Sequence, residues 1–264
     1  MNRERRVPVL LLVPAVIAVL LLVVPLASLL IRTPWTELPR VLAGGKVWPA
    51  LRLSLLSASM ATLISVVVGV PLAWVIGRSL NRGMRFLRAL VTLPLVLPPV
   101  VGGITLLMAF GRNGIVGGPL YSLTGLSIPF TSLAVVMAQT FVAMPFLVIS
   151  VAGAVERLDD RFDEAAASLG ASGLYAFRRV TLPMLAPGIL AGTVLAWTRA
   201  LGEFGATITF AGSFPGRTET MPIAVYLAQQ SDPEAAMALS VVLLIVSLFV
   251  LLALRRHYLP GAVA

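Results

Sequence analysis

Apolar positions in this chain come in long unbroken blocks, separated by shorter stretches where arginine, glycine and proline collect. Crossing the roughly 30 Å of a bilayer's hydrocarbon takes about 20 apolar residues in a helix. Runs of that length predict six membrane-crossing helices, at 7–31, 53–77, 89–111, 132–155, 186–211 and 235–254. The fifth is interrupted by Arg199 and Glu203. Residues 113–131 are also uncharged, but Gly114, Gly117, Gly118, Pro119, Gly125 and Pro129 predict a loop there. The expectation is an all-α membrane protein with one domain over 1–264. The first run follows Arg3, Arg5 and Arg6 as in a signal peptide, yet it is too long for one and is read as a retained span.

Composition agrees with this pattern. The chain is 58% hydrophobic and 12% charged, with mean hydropathy +0.97, outside the balance of a soluble domain. Cysteine is absent and His257 is the lone histidine, which excludes a disulfide framework and argues against a protein-encoded metal site. The net charge of +9 would suggest nucleic acid in a soluble protein. Here the basic residues flank apolar spans and read as topology determinants, so no nucleic-acid partner is expected.

The basic residues also predict sidedness. Arg3, Arg5 and Arg6, then Arg78, Arg82, Arg85 and Arg88, then Arg157, Arg161, Arg178 and Arg179, and finally Arg255 and Arg256 fall on one side of a six-span layout. The other side holds only Arg32, Arg40, Lys46, Arg52, Arg112 and Arg217. Both termini and the second and fourth connections are therefore expected in the cytoplasm of a multi-pass plasma-membrane protein.

Two spans carry unusual residues. The third contains Pro94, Pro98, Pro99, Gly102 and Gly103, which remove backbone donors and must bend or break the helix. Broken backbone at membrane depth survives where protein or a water-filled cavity satisfies it, so Pro98 and Pro99 are read as lining a pathway, with a packing kink as the other reading. In the fifth span Arg199 and Glu203 are four apart and share a helix face, where they can neutralise one another or serve a path or gate. Gly188 and Gly192 read as ordinary close helix packing.

The fourth connection, 156–183, is charged and patterned. Asp159 or Asp160 can cap a helix beginning near Arg161, with Asp163 and Glu164 in its first turn and Gly170 as its stop. Phe162, Ala165, Ala166 and Leu169 share one face. A second short helix, 174–180, leads to Leu182 and Pro183. On periodicity alone this is equally a helix lying on lipid headgroups.

The residues themselves go further. Glu164-Ala165-Ala166, three residues, Gly170, nine residues, then Val180-Thr181-Leu182-Pro183 resembles the EAA signature of ATP-binding-cassette importer permeases, with valine in the usual isoleucine position. The resemblance implies the type I importer permease fold and a coupling helix, with Glu164, Ala165, Ala166, Gly170, Leu182 and Pro183 in the segment that docks on a separate ATPase. The chain lacks the Gly-x-x-x-x-Gly-Lys loop followed by Ser or Thr, and its single lysine, Lys46, has no such context, so ATP and magnesium are expected on that partner. The chain is not expected to be an enzyme or to bind a cofactor itself.

The stretch 199–207, Arg-Ala-Leu-Gly-Glu-Phe-Gly-Ala-Thr, with 210–226 after it, is similar to the molybdate permease branch of that family, and tungstate and sulfate/thiosulfate permeases share part of it. The resemblance implies oxyanion import, two ATPase copies, a periplasmic or lipoprotein substrate-binding protein and a second copy of the permease in a homodimer. Pro215, Gly216, Arg217 and Thr218 fall in an outer connection, where contact with the binding protein or gating at the outer mouth is expected, a solvated turn being the bland reading. Molybdate comes first among the anions, with tungstate and sulfate left open. In a rival class, a secondary carrier, Arg199 and Glu203 would relay an ion.

Overall fold

In the computed structural model, which describes residues 9–79, 81–159 and 161–258, the regular elements are all helices. The predicted start of the first span at residue 7, the basic residues Arg3, Arg5 and Arg6, and the candidate cap Asp160 lie outside the described residues. So do the side chains of Asp163, Arg255, Arg256 and His257.

The order is α1 (Val9–Arg32), α2 (Leu38–Ala43), α3 (Val47–Arg78), α4 (Arg82–Val96), α5 (Pro99–Phe110), α6 (Gly117–Thr124), α7 (Ser132–Val155), α8 (Arg161–Ser168), α9 (Gly173–Ala176), α10 (Leu182–Leu201), α11 (Gly205–Ala211), α12 (Met221–Ser231) and α13 (Pro233–Tyr258). Among the described residues, five helices are long and apolar enough to cross a membrane: Leu10–Arg32, Val47–Arg78, Ser132–Val155, Gly173–Leu201 and Pro233–Val250. The bent pair α4 and α5 supplies a sixth if it is one span.

α7 is the central post. Within lipid there is no hydrophobic drive between helices, so packing relies on small residues that let backbones approach. α3 supplies Ala58, Ala61, Gly69, Ala73 and Gly77 on its buried face. A Cβ at Gly77 would stand 2.7 Å from the Val155 Cβ, and one at Gly69 would stand 3.0 Å from Leu147 Cδ2. On the other flank Gly188 of α10 lies so close that a Cβ there would sit 2.6 Å from the Ala154 Cβ, and Gly192 packs on Ser150 and Leu147. The small-residue pair Gly188 and Gly192 thus serves close packing. The Ser150 hydroxyl donates to the Gly188 carbonyl at 3.1 Å, a cross-helix bond worth about 0.6 kcal/mol in such settings. A third group, Val47, Ala50 and Leu51 of α3 with Met221, Ala224 and Leu239, joins the hairpin of α12 and α13 to the start of α3.

Several predicted boundaries change, the second helix beginning at Val47 rather than 53 and the third at Arg82 rather than 89. The third run, 89–111, is two helices that meet at 116° across Leu97 and Pro98, because Pro98 and Pro99 leave consecutive positions without N–H donors. The fifth run was expected from 186. Instead a continuous helical path begins at Gly173, passes through 177–181 as a widened π turn and continues as α10. The Leu182 N–H bonds to Phe177 O, five residues back. Pro183 has no N–H and its ring would strike the Arg179 carbonyl in a regular α-helix, and the wider turn relieves that clash. Leu182 and Pro183 therefore lie inside a span-length helix rather than in a connection. The fifth run also ends early, at Leu201, and resumes as α11. The stretch 113–131, expected as a loop, holds the short helix α6, and the first and fifth connections hold α2 and α12.

Candidate functional site

The break between α10 and α11 is built around one carboxylate. Glu203 is 1% exposed, its Oε2 lies 2.6 Å from Arg199 Nη1, and its Oε1 accepts from the Ala206 N–H at 2.9 Å. Arg199 is in the last turn of α10, where a cation complements the helix dipole, and Glu203 covers a free N–H of the next helix's first turn. One side chain thus neutralises the cation and closes the gap in the backbone.

The same break receives the bend of α4 and α5. A Cβ at Gly205 would stand 2.8 Å from the Pro99 Cβ, and one at Gly103 would stand 2.6 Å from the Thr209 Cβ and 2.8 Å from the Ala206 carbonyl. α5 and α11 therefore run side by side in the same direction, starting at Pro99 and Gly205. Pro98, Pro99, Arg199 and Glu203, picked out separately in the sequence, belong to one neighbourhood. Of the glycines that seal it, Gly103 was noted only as part of the helix break and Gly205 only within the family-like stretch 199–207, neither as a packing contact. The doublet Gly102-Gly103 beside a proline break was the available signal.

The coupling candidates form a second centre. The Asp159 carboxylate accepts from the Arg161 N–H at 3.0 Å, opening α8. Gly170 has φ 76° and the Ala171 N–H reaches the Ala166 carbonyl at 3.0 Å, the glycine-terminated C-cap expected from the sequence. Nothing lies within 4 Å of a Cβ added at Gly170, so the glycine is there for its backbone conformation and not for space. Glu164 and Ala165 are exposed and Ala166 is buried. Phe162, Leu169, Leu174 and Tyr175 are all exposed, Leu169 at 87%. Phe162, Leu169 and Tyr175, together with Ala165 and Gly170, flank a cleft of about 710 Å³.

This segment is tied firmly to the spans. Phe177 stacks edge-on to Trp74 of α3 at 5.1 Å, and the Arg78 guanidinium lies 4.5 Å from the Trp74 ring centre. Arg88 of α4 pairs with Glu156 just after α7. Pro183, Leu182 and the buried Thr181 continue into α10.

The loop 212–220 holds the remaining candidates. Gly216 has φ 70°, and the Phe214 carbonyl accepts from the N–H groups of Arg217, Thr218 and Glu219. The buried Thr218 hydroxyl accepts from the Phe214 N–H at 2.9 Å, so its role is to brace the turn. Pro215 and Arg217 are exposed. The Ser132 hydroxyl donates to the Arg217 carbonyl at 2.8 Å, pinning the loop to the start of α7. Among the described residues no group of His, Cys, Asp and Glu side chains is arranged to hold a metal ion.

The class of protein is given by its relatives. The family described as binding-protein-dependent transport system inner membrane component matches residues 69–261, and the chain belongs to that family. It is a multi-pass inner-membrane permease component. It is 47% identical over 239 residues to the molybdenum transport system permease protein ModB of Mycobacterium bovis, covering 90% of both chains. It is 36% identical over 240 residues to the sulfate transport system permease protein CysT of Salmonella typhimurium, covering 89% of this chain and 86% of that one. Among solved structures, a bacterial ABC transporter that imports alginate has a chain superimposing with TM-score 0.73 at 19% identity, covering 93% of this chain and 94% of that one. That likeness supports the importer permease fold.

Proposed function

We propose that the chain is the permease of an ATP-binding-cassette importer whose cargo is molybdate. The exposed segment from Glu164 to Gly170 carries this reading: a short helix with a glycine stop and an uncovered apolar face, followed within a few residues by the helical path that starts at Gly173 and runs through a widened turn into a long span. Such a face, rigidly linked to a span, suits docking on a soluble motor. Two ATPase copies would bind ATP and magnesium, and a homodimer of this chain would present one such face to each. Glu164 would meet a basic group on the ATPase. The basic residues flanking the spans favour both termini and the segment 156–183 on the cytoplasmic side.

The mechanism follows from the connections. Closure of the ATPases pulls on α8, and the pull passes through the stretch 177–183 into α10. At its far end α10 meets the Arg199–Glu203 pair, against which the Pro98–Pro99 bend rests through Gly205. A shift of α10 therefore moves the beginnings of α11 and α5 together, and this junction is the gate. Pro215, Gly216, Arg217 and Thr218 form the outer mouth facing a loaded substrate-binding protein. ATP contributes by favouring the state whose coupling contacts it strengthens.

Molybdate is preferred over sulfate because identity to the molybdenum permease is 47% and to the sulfate permease 36%. Competitive uptake in right-side-out vesicles containing permease, ATPase, binding protein and enclosed ATP tests it. Radiolabelled molybdate should enter with ATP, unlabelled sulfate should compete weakly, and Glu164→Ala should lower uptake without lowering the permease content of the membrane. Sulfate uptake exceeding molybdate uptake would assign the cargo otherwise, and undiminished uptake in Glu164→Ala would remove that residue from the coupling contact.

A further inference from the structure

The parallel helices α5 and α11 share a second polar place, at the ends away from the Arg199–Glu203 pair. Arg112 follows α5 and Arg217 follows α11, and the two line one cleft of about 510 Å³ together with Ser127 and Thr131. No acidic residue lines this cleft. Among the described residues, neither arginine has a carboxylate partner.

The Arg112 side chain and the Arg217 backbone are held by contacts that leave the guanidinium donors available. The Arg112 guanidinium carbon lies 5.1 Å from the Tyr121 ring centre, which steadies the group without consuming its N–H donors. Arg217 sits on the turn whose backbone is locked by the Phe214 carbonyl and the Ser132 hydroxyl. Two cations on fixed backbone thus face one cavity with two hydroxyl side chains beside them. A guanidinium offers paired donors matched to oxyanion geometry. α5 is about 18 Å long, so this cleft and the gate junction stand at opposite ends of one helix.

We propose that Arg112 and Arg217 form a low-affinity binding site for a small doubly charged tetrahedral oxyanion, a way station at the outer end of the α5–α11 pair. The proposal rests on the oxyanion-import reading for its cargo. Because both arginines are exposed, the site is screened by salt and releases readily, as conduction through several weak sites requires.

The test uses the full chain in nanodiscs of neutral lipid, without ATPase or binding protein, and measures equilibrium binding of radiolabelled sulfate with molybdate as competitor. Wild type should show saturable binding that molybdate displaces and added salt weakens. Arg112→Gln and Arg217→Gln should each weaken it by about tenfold, and Arg217→Lys should retain part of it. Absence of saturable binding, or binding undiminished in both glutamine variants, would overturn the site. In a separate docking measurement with the binding protein added to the same nanodiscs, loss of docking in those variants with sulfate binding intact would assign the arginines to a protein contact and overturn it too. Oxyanion binding here combined with no ATP-driven uptake would leave the pocket standing and remove the import reading, so the two failures are distinguishable.

Discussion

Glu203 answers to two helices through one carboxylate, pairing with Arg199 of α10 and accepting from the Ala206 N–H of α11. Glu203→Ala strips both, leaving a three-quarters-buried cation and an open helix start. The expected cost is about 3 kcal/mol, read as a lower unfolding midpoint in detergent. Arginine and glutamate four apart were legible in the sequence as a possible pair. The capping bond was not, because it depends on where the helix breaks. At Gly170 the reverse holds: glycine after an amphipathic helix announces a left-handed C-cap, and φ is 76°. With open space around it, Gly170→Val should strain only the backbone, by about 1–2 kcal/mol, lowering uptake while the protein still folds, and Gly170→Asn should stay near wild type. Glu219, in the loop outside the spans, has its carboxyl raised above the ordinary value by burial, with Lys46 pulling the other way. A carboxyl whose folded value is raised contributes stability in full below its unfolded value of about 4.5, and loses it as pH rises through the raised value. Glu219→Gln should remove that decline, measured as unfolding midpoint against pH.

At the scale of elements, the widened turn at 177–181 and the junction of α5 with α11 carry the account. Pro183 should hold the turn open. Pro183→Ala restores an N–H for the Arg179 carbonyl and lets the helix tighten, turning α8 relative to α10. ATP hydrolysis should then continue in the reconstituted complex while uptake falls, which paired ATPase and uptake assays separate. Gly103→Leu should wedge α5 from α11 and abolish uptake, since even a Cβ lies 2.6 Å from Thr209. How much of this was readable depends on range. The run 132–155 matches α7 end for end, because a helix packed on several sides shows an uninterrupted apolar block. The proline break was readable at Pro98 and Pro99, but its 116° angle was not, since it is set by glycines meeting α11 a hundred residues later. The short helix at 174–180 was readable, but its continuity with α10 was hidden because Arg178, Arg179 and Pro183 look like a connection until the π turn is seen. α12 was missed because eleven residues opening on Met221-Pro222 are too short to register as a span.

For the whole molecule, the distribution of burial describes a subunit made to be surrounded. No residue in the apolar window of α1 is buried and 22% of that of α13 is, whereas 61% of that of α7 is. The outer helices thus leave their apolar faces for lipid or a second copy. The absence of cysteine makes sidedness directly measurable. Single replacements Ser168→Cys and Pro215→Cys should react with an impermeant maleimide from opposite sides, Ser168→Cys from the cytoplasm. The central claim is that ATP on a partner, and not an ion gradient, drives an oxyanion through this chain. The most direct measurement is molybdate uptake into proteoliposomes holding permease, ATPase and binding protein, with every ion gradient collapsed by ionophores. Accumulation that requires ATP and survives the ionophores is the predicted result. Uptake that persists without the ATPase and vanishes with the gradients would contradict it, and would make Arg199 and Glu203 parts of an ion relay.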